Sequence, residues 1–221
     1  MTFFSKIKQI LSIVFATKPS ETPEPIVPVI PEPEPVVEPE PVVEPVPAPI
    51  VIKDDVPQVQ GAWMDYAISL LGTKEVVGAK HNSTILQWAK NLGKKVGIAY
   101  DADEIAWCGV FAGEVIQAGG FSPPNICVRA SEWGKFGVGI NEGSYGAVMV
   151  FSRNGGGHVG FYVSEDTTTF HVLGGNQSNA VTITRIEKSR LTAIRWPNGI
   201  DLPFRGREFR KFDATISKNE A

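Results

Sequence analysis

Cysteine and histidine are scarce in this chain of 221 residues, with two of the first and three of the second. Two cysteines cannot build a disulfide framework, and together with three histidines they show no zinc-ligand spacing. The sequence therefore calls for no metal or other cofactor. Basic runs are also missing. Lysine and arginine number 21 against 24 aspartates and glutamates, for a net charge of −3. That leaves no electrostatic footprint for a nucleic-acid partner. What is present in ordinary measure is core material, since 43% of residues are hydrophobic and 20% charged.

Proline is nearly absent from the larger part of the chain. Of 17 prolines, only Pro123, Pro124, Pro197 and Pro203 lie beyond residue 57. The rest crowd a segment that repeats Glu-Pro and Val-Val-Glu-Pro, has no aromatic residue and carries acidic charge. Proline fixes φ and removes amide donors, so neither a helix nor a central strand is expected there. Polyproline II at ~3.1 Å per residue would turn about 30 such residues into a semi-rigid spacer of ~90 Å. Residues 19–57 read as a Pro/Glu-rich linker. Ahead of it, residues 1–18 place Phe3, Phe4, Ile7, Ile10, Leu11, Val14 and Phe15 on one helical face, with Lys6, Lys8, Gln9 and Ser12 largely opposite. The apolar run there is too short to span a bilayer. An amphipathic helix lying on a membrane surface or docking on a protein partner fits the pattern, and self-association is the competing reading.

From about residue 58 the pattern becomes that of a folded domain. "GAWMDYAISLLGTKEV" spaces Trp63, Tyr66, Ala67 and Leu70 as one helix with Gly72 as a stop. "NSTILQWAKNLGKK" is a second, capped by Asn82 or Ser83 and ended by Gly93. "WCGVFAGEVIQAGG" is a third, and Pro123 and Pro124 enforce the loop after it. The period then becomes strand-like in "GAVMVFSR", "HVGFYVSE", "TFHVLGG", "AVTITRI" and "LTAIRW". Helices followed by about five consecutive strands indicate an α+β fold, helices packed on an antiparallel sheet. The domain is expected over 58–200, with 201–221 as a peripheral tail.

Three polar positions stand at the ends of these elements. Cys108 is expected at the start of the third helix, where unpaired amides and a partial positive charge favour a thiolate. Acidic residues in "YDADEIAW", Asp103 among them, suit capping of that same end. His158 is expected to open a strand, among glycines 155, 156, 157 and 160 that leave space for a substrate. Asn176 and Gln177 follow two glycines on the next strand, and a neutral amide oxygen there is sufficient to hold the imidazole in one tautomer. Each residue alone is weak. On burial habits a lone cysteine is a small core residue by roughly 5 to 1. The ordered set makes that reading the less economical one.

"DEIAWCGVF", "GGGHVGFYV" and "VLGGNQSNAVTI" resemble the motif blocks of the NlpC-like and CHAP-like papain-fold cell-wall peptidases. "WMDYAISLLGTKEVVGAKHNSTIL", "RASEWGKFG", "GAVMVFSR" and "IRWP" resemble the same group, so the likeness covers roughly 61–197. It departs at Ala147, where the subgroup usually carries an acidic residue. The resemblance implies a papain-like fold and attack by Cys108 on an amide carbonyl. His158 would be base and then acid, and Asn176 the orienter. Peptidoglycan is the implied partner and substrate, cut by a phage lysin or a related bacterial hydrolase acting at the periplasm or cell wall. Trp107, Glu75, Gln177 and Gly157 are the expected substrate-binding residues. Some CHAP-like enzymes bind calcium near the positions of Asp101 and Asp103, which here read rather as capping residues. His171 and Cys127 are read as structural, without a disulfide to Cys108. A wall-binding module without turnover and a structural virion or envelope protein are the alternatives.

Overall fold

The structure is a computed structural model that describes residues 62–78, 80–201, 207–209, 211, 214 and 216–220. The amphipathic helix expected over 1–18 and the linker over 19–57 lie outside the described residues. The domain has an α+β architecture, with helices α1 (Ala62–Ser69), α2 (Ser83–Leu92) and α3 (Cys108–Ala118) preceding most of a seven-stranded sheet. The strands are β1 (Val138–Gly139), β2 (Val148–Arg153), β3 (Gly156–Glu165), β4 (Thr169–Gly174), β5 (Thr182–Glu187), β6 (Leu191–Trp196) and β7 (Ile216–Ser217).

Helix α2 shows why these segments fold as they do. Ile85, Trp88, Ala89 and Leu92 are buried at steps of three and four, the stripe of a helix lying on a core. Of the two capping candidates the fold uses Asn82, whose side chain accepts from the Thr84 and Ile85 amides. Gly93, at φ 54°, ends the helix by donating to Ala89 and Lys90 carbonyls. Helix α1 stops earlier than its spacing suggests, at Ser69, and the chain turns through Gly72 at φ 85°. Its Trp63 donates to the Gly146 carbonyl at 3.0 Å and packs edge-on to Trp196.

Helix α3 is the central element, with every residue from Cys108 to Ile116 buried. A helix apolar all round must be enclosed, and its Phe111 meets Phe161 of β3 edge-on at 6.1 Å between centroids. The single charge in this stretch, Glu114, accepts from Tyr66 Oη and Asn91 Nδ2 at 3.1 Å each. That satisfies a carboxylate which would otherwise be costly to bury. Trp107, Trp133 and Trp196 are all fully buried around the helix and sheet.

The sheet order is β1-β6-β2-β3-β4-β5-β7. Its five central strands, β6 to β5, are the five expected from sequence, and they pair antiparallel throughout. Two edge strands of two residues each extend it. β1 pairs with β6, and β7 runs parallel to β5, so the sheet is mixed rather than purely antiparallel. The second edge corrects the reading of 201–221 as peripheral. Arg185 of β5 pairs with Ile216, and its guanidinium donates to the Ala214 carbonyl. Ser178 donates its amide to the Glu220 carbonyl. Phe209 makes a bridge to Glu165. These residues are integrated into the sheet by backbone pairing, which leaves no periodic mark in a sequence.

Candidate functional site

Cys108 is the first residue of α3, as its surroundings in the sequence suggested. A helix start leaves its first amides without intrahelical partners. The backbone amides of Val159 on β3 and of Gly109 both favour the Cys108 thiolate, so the thiol lies near the strand one residue beyond His158. This close docking depends on Gly109. A Cβ there would sit 2.0 Å from the Cys127 carbonyl oxygen and 2.8 Å from that of Val128. Cys127 is held in turn by the Lys95 carbonyl and by Trp133 Nε1, and both cysteines are free thiols.

His158 is the third residue of β3 rather than its first, and it is 1% exposed. Its Nε2 lies 3.1 Å from Gln177 Oε1. The Gln177 amide nitrogen is committed elsewhere, to the Val172 carbonyl at 3.3 Å, the Thr182 carbonyl at 2.6 Å and Thr182 Oγ1 at 3.1 Å. Three acceptors on the nitrogen fix which end of the amide faces the imidazole. An oxygen facing Nε2 requires that Nε2 carry the hydrogen, so the lone pair resides on Nδ1. Nδ1 is buried and makes no hydrogen bond, to Cys108 or to any other described residue.

The amide that meets the imidazole is therefore that of Gln177 and not that of Asn176. Asn176 adopts φ 55°, is 5% exposed, and its Oδ1 makes no hydrogen bond among the described residues. Residues 174–177 leave β4 through two glycines. The left-handed turn at Asn176 sends the longer side chain of the next residue back onto His158. Gly175 permits this turn to lie against α3, since a Cβ there would come within 2.6 Å of Phe111 and 2.7 Å of the Trp107 ring.

Electrostatically the pair rests neutral. Burial pushes the Cys108 thiol up, against the lowering effects of the Val159 amide, the Arg153 charge and the Gly109 amide, with Glu220 adding to the rise. Burial lowers His158 to about 4, opposed by the Glu220 charge and the Gln177 hydrogen bond and assisted by Arg153 and Arg190. Glu220 is 1% exposed and paired through both oxygens with Arg190, at 2.8 and 2.6 Å. Its carboxyl is itself held low. Burial works against that ionisation, but the Arg190 hydrogen bond, the His158 charge when that ring is protonated, the Arg190 charge and the Ser217 hydroxyl outweigh it. Nothing in the sequence marks Glu220, because its burial comes from a tail without hydrophobic period.

A cleft of about 530 Å³ opens beside the thiol. Cys108, Val128, Arg129, Ala130, Arg153 and the glycines Gly155, Gly156 and Gly157 are among the residues that line it. Of the residues expected to bind substrate, only Gly157 belongs to this lining. Trp107 is fully buried and donates its indole N–H to Glu75 at 2.6 Å, so the two brace the core behind the helix start. Gln177 acts on the imidazole. Arg129, ahead of a short helix, and Arg153, at the end of β2, carry no mark in the sequence that separates them from other arginines.

Asp103 does not cap α3, where the N-cap position is Trp107 and no side-chain cap is made. Its carboxylate accepts from the Asn82 amide at 2.7 Å and the Val76 amide at 3.0 Å, and meets His81 Nδ1 at 3.0 Å. It thus ties the loop before α2. His81, Asp103 and Glu104 place ligand atoms within 4.8 Å of one another, whereas Asp101 is not in this cluster. Asp103 is already occupied by two amides and an imidazole. His171 is a structural histidine, with Nδ1 2.7 Å from Ser164 Oγ and Nε2 3.2 Å from Asp166, partners drawn from outside its own strand. No protein-family model matches this chain, and no curated protein matches its sequence.

Proposed function

We propose that the protein is a cysteine hydrolase of papain-like NlpC/CHAP type that cleaves an amide bond in bacterial peptidoglycan. The observation that carries this reading is the arrangement around His158. Gln177 fixes the Nε2–H tautomer and leaves the Nδ1 lone pair open, on the strand whose next residue, Val159, favours through its backbone amide the thiolate of a cysteine at a helix start. A neutral imidazole is in the protonation state of a general base, with the proton moving as the sulfur attacks, rather than in a standing ion pair.

In this mechanism Cys108 Sγ attacks the amide carbonyl carbon while His158 Nδ1 takes the thiol proton. The developing oxyanion is met by the Cys108 backbone amide, one of the donors a helix start leaves unpaired. His158 then hands the proton to the departing amine nitrogen as the C–N bond breaks. Water, deprotonated by the same nitrogen, hydrolyses the thioester and restores the thiol. Gln177 stabilises each imidazolium through its oxygen. Trp107 and Glu75 hold the helix start in place. The substrate is a peptide stem, a cross-bridge or the sugar–peptide amide. A phage lysin or bacterial wall hydrolase carrying the N-terminal helix and linker is the setting this reading gives.

A second reading is a wall-binding module without turnover. It is favoured by one observation, that no hydrogen bond joins the thiol to His158 Nδ1. Catalytic contacts are commonly loose until substrate binds, and the experiment that separates the two is direct. Purified walls incubated with the protein release new amino groups under the hydrolase reading, and Cys108→Ala abolishes the release. Binding without release by the unaltered protein would establish the second reading instead.

A further inference from the structure

The cleft beside Cys108 has a charge pattern at odds with the protein as a whole. The chain is net negative, at −3, yet none of the described residues lining the cleft is acidic and two are arginines. Glu220, the nearby carboxylate, is neutralised by Arg190 through two hydrogen bonds. Arg153 is held over the cleft by its Nε bond to the Gly157 carbonyl at 3.1 Å and by Asn219, a neutral partner, at 3.0 Å. Its charge reaches the thiol, whose ionisation it favours. Arg129 is exposed, and its guanidinium has no hydrogen-bond or ion-pair partner among the described residues. Two cationic forks thus flank a nucleophile-bearing cleft floored by glycines, and neither charge is compensated.

We propose that Arg129 and Arg153 form a carboxylate subsite beside Cys108, which selects peptide stems with a free carboxylate close to the amide that is cut. The inference rests on the peptidoglycan reading and narrows it. Guanidinium groups match a carboxylate in shape as well as charge, through paired N–H donors. Stem peptides carry such carboxylates in some walls and have them converted to carboxamides in others. A carboxamide presents an N–H₂ donor where the arginines need an acceptor, so it leaves a cationic donor unmet. Gly155, Gly156 and Gly157 add no side chain between the two arginines and the bound backbone. The subsite thereby discriminates between wall chemistries by one functional group.

The test uses the full chain carrying Cys108→Ala, so that ligand is bound and not consumed. Two synthetic stem peptides are compared by calorimetry, identical except that one carries a free glutamyl carboxylate and the other its carboxamide. The carboxylate peptide is expected to bind about tenfold more tightly, the worth of one charge-assisted hydrogen bond. That ratio should fall toward one when Arg129→Gln is added, and the carboxylate peptide alone should weaken with added salt. Arg153→Gln is the supporting variant, since Arg153 also ties Gly157 and Asn219, whereas the Arg129 side chain carries no such ties. Equal binding of the two peptides, no binding of either, or a ratio unchanged by both arginine variants would overturn the subsite. Cleavage of the same peptides by the unaltered protein is scored separately. Discrimination in binding without any cleavage removes the catalytic reading and keeps the subsite, and cleavage without discrimination does the reverse.

Discussion

Gln177 and Asn176 are neighbours with opposite situations, and the difference decides what each substitution does. Gln177 Oε1 faces the imidazole while its nitrogen is locked by Val172 and Thr182. Gln177→Ala removes the acceptor that stabilises a protonated His158, so turnover should fall about tenfold to a hundredfold. Asn176→Ala should cost less, and steady-state hydrolysis of soluble wall fragments by both variants checks the order. His158 supplies a pH signature of its own. Its folded-state pKa of about 4 lies below the ordinary 6.5. As pH falls from 6.5 toward 4 the unfolded chain takes up a proton that the folded chain refuses. Stability is therefore lost over that window, by up to about 3 kcal/mol, and is unaffected by this group above it. Urea midpoints measured at pH 7 and 5 should differ more for the unaltered protein than for His158→Gln. The acid limb of kcat/KM should correspondingly fall near pH 4 rather than near 6.5. What sequence could not reveal at this scale is reach. Asn176 and Gln177 are adjacent in the chain, and only the left-handed φ at Asn176 determines which amide turns back onto His158.

At the scale of elements, the site is made where the start of α3 is pressed into two backbone surfaces. One is the amide edge of β3 at Val159, the other the carbonyls of Cys127 and Val128. Gly109→Ala would drive a methyl into those carbonyls, and helix and loop must separate to admit it. The expected cost is about 1–3 kcal/mol, seen as a lowered Tm, with the thiol displaced from Val159. A Tm equal to that of the unaltered protein would mean the contact is looser than described. The elements themselves were readable where they carried a period. Helix α2 shows its stripe in Ile85, Trp88, Ala89 and Leu92, and the five central strands show buried or alternating runs. The two-residue strands β1 and β7 carry none. Asp103 was misplaced for a related reason. Its charge near the start of α3 is visible in the sequence, but its partners Val76, His81 and Asn82 stand 21 to 27 positions away.

Taken whole, the domain is closed by the segment that the sequence left out of it. β7 extends the sheet, and Glu220 inserts a buried carboxylate against Arg190, near Cys108 and His158. Breaking a buried pair by removing one partner leaves an uncompensated charge, which typically costs about 3–5 kcal/mol. Glu220→Ala should therefore destabilise the domain by that order in chemical unfolding, far more than an exposed charge would. A loss below about 1 kcal/mol, the scale of surface pairs, would show that the tail does not hold its place in solution. The α+β class and its order of helices before strands were legible from Ala62 through Trp196. The tail was not, because its ties are the ion pairs Arg190–Glu220 and Arg207–Glu165 and a few hydrogen bonds rather than an apolar face.

The central claim is that Cys108 cleaves an amide in peptidoglycan. Mass spectrometry of purified peptidoglycan, digested in parallel by the unaltered protein and by Cys108→Ala, tests it most directly. The account predicts fragments with a new amine and a new carboxylate at one type of amide bond in the first digest, and none above background in the second. Identical fragments from both digests, or none from either, would contradict it.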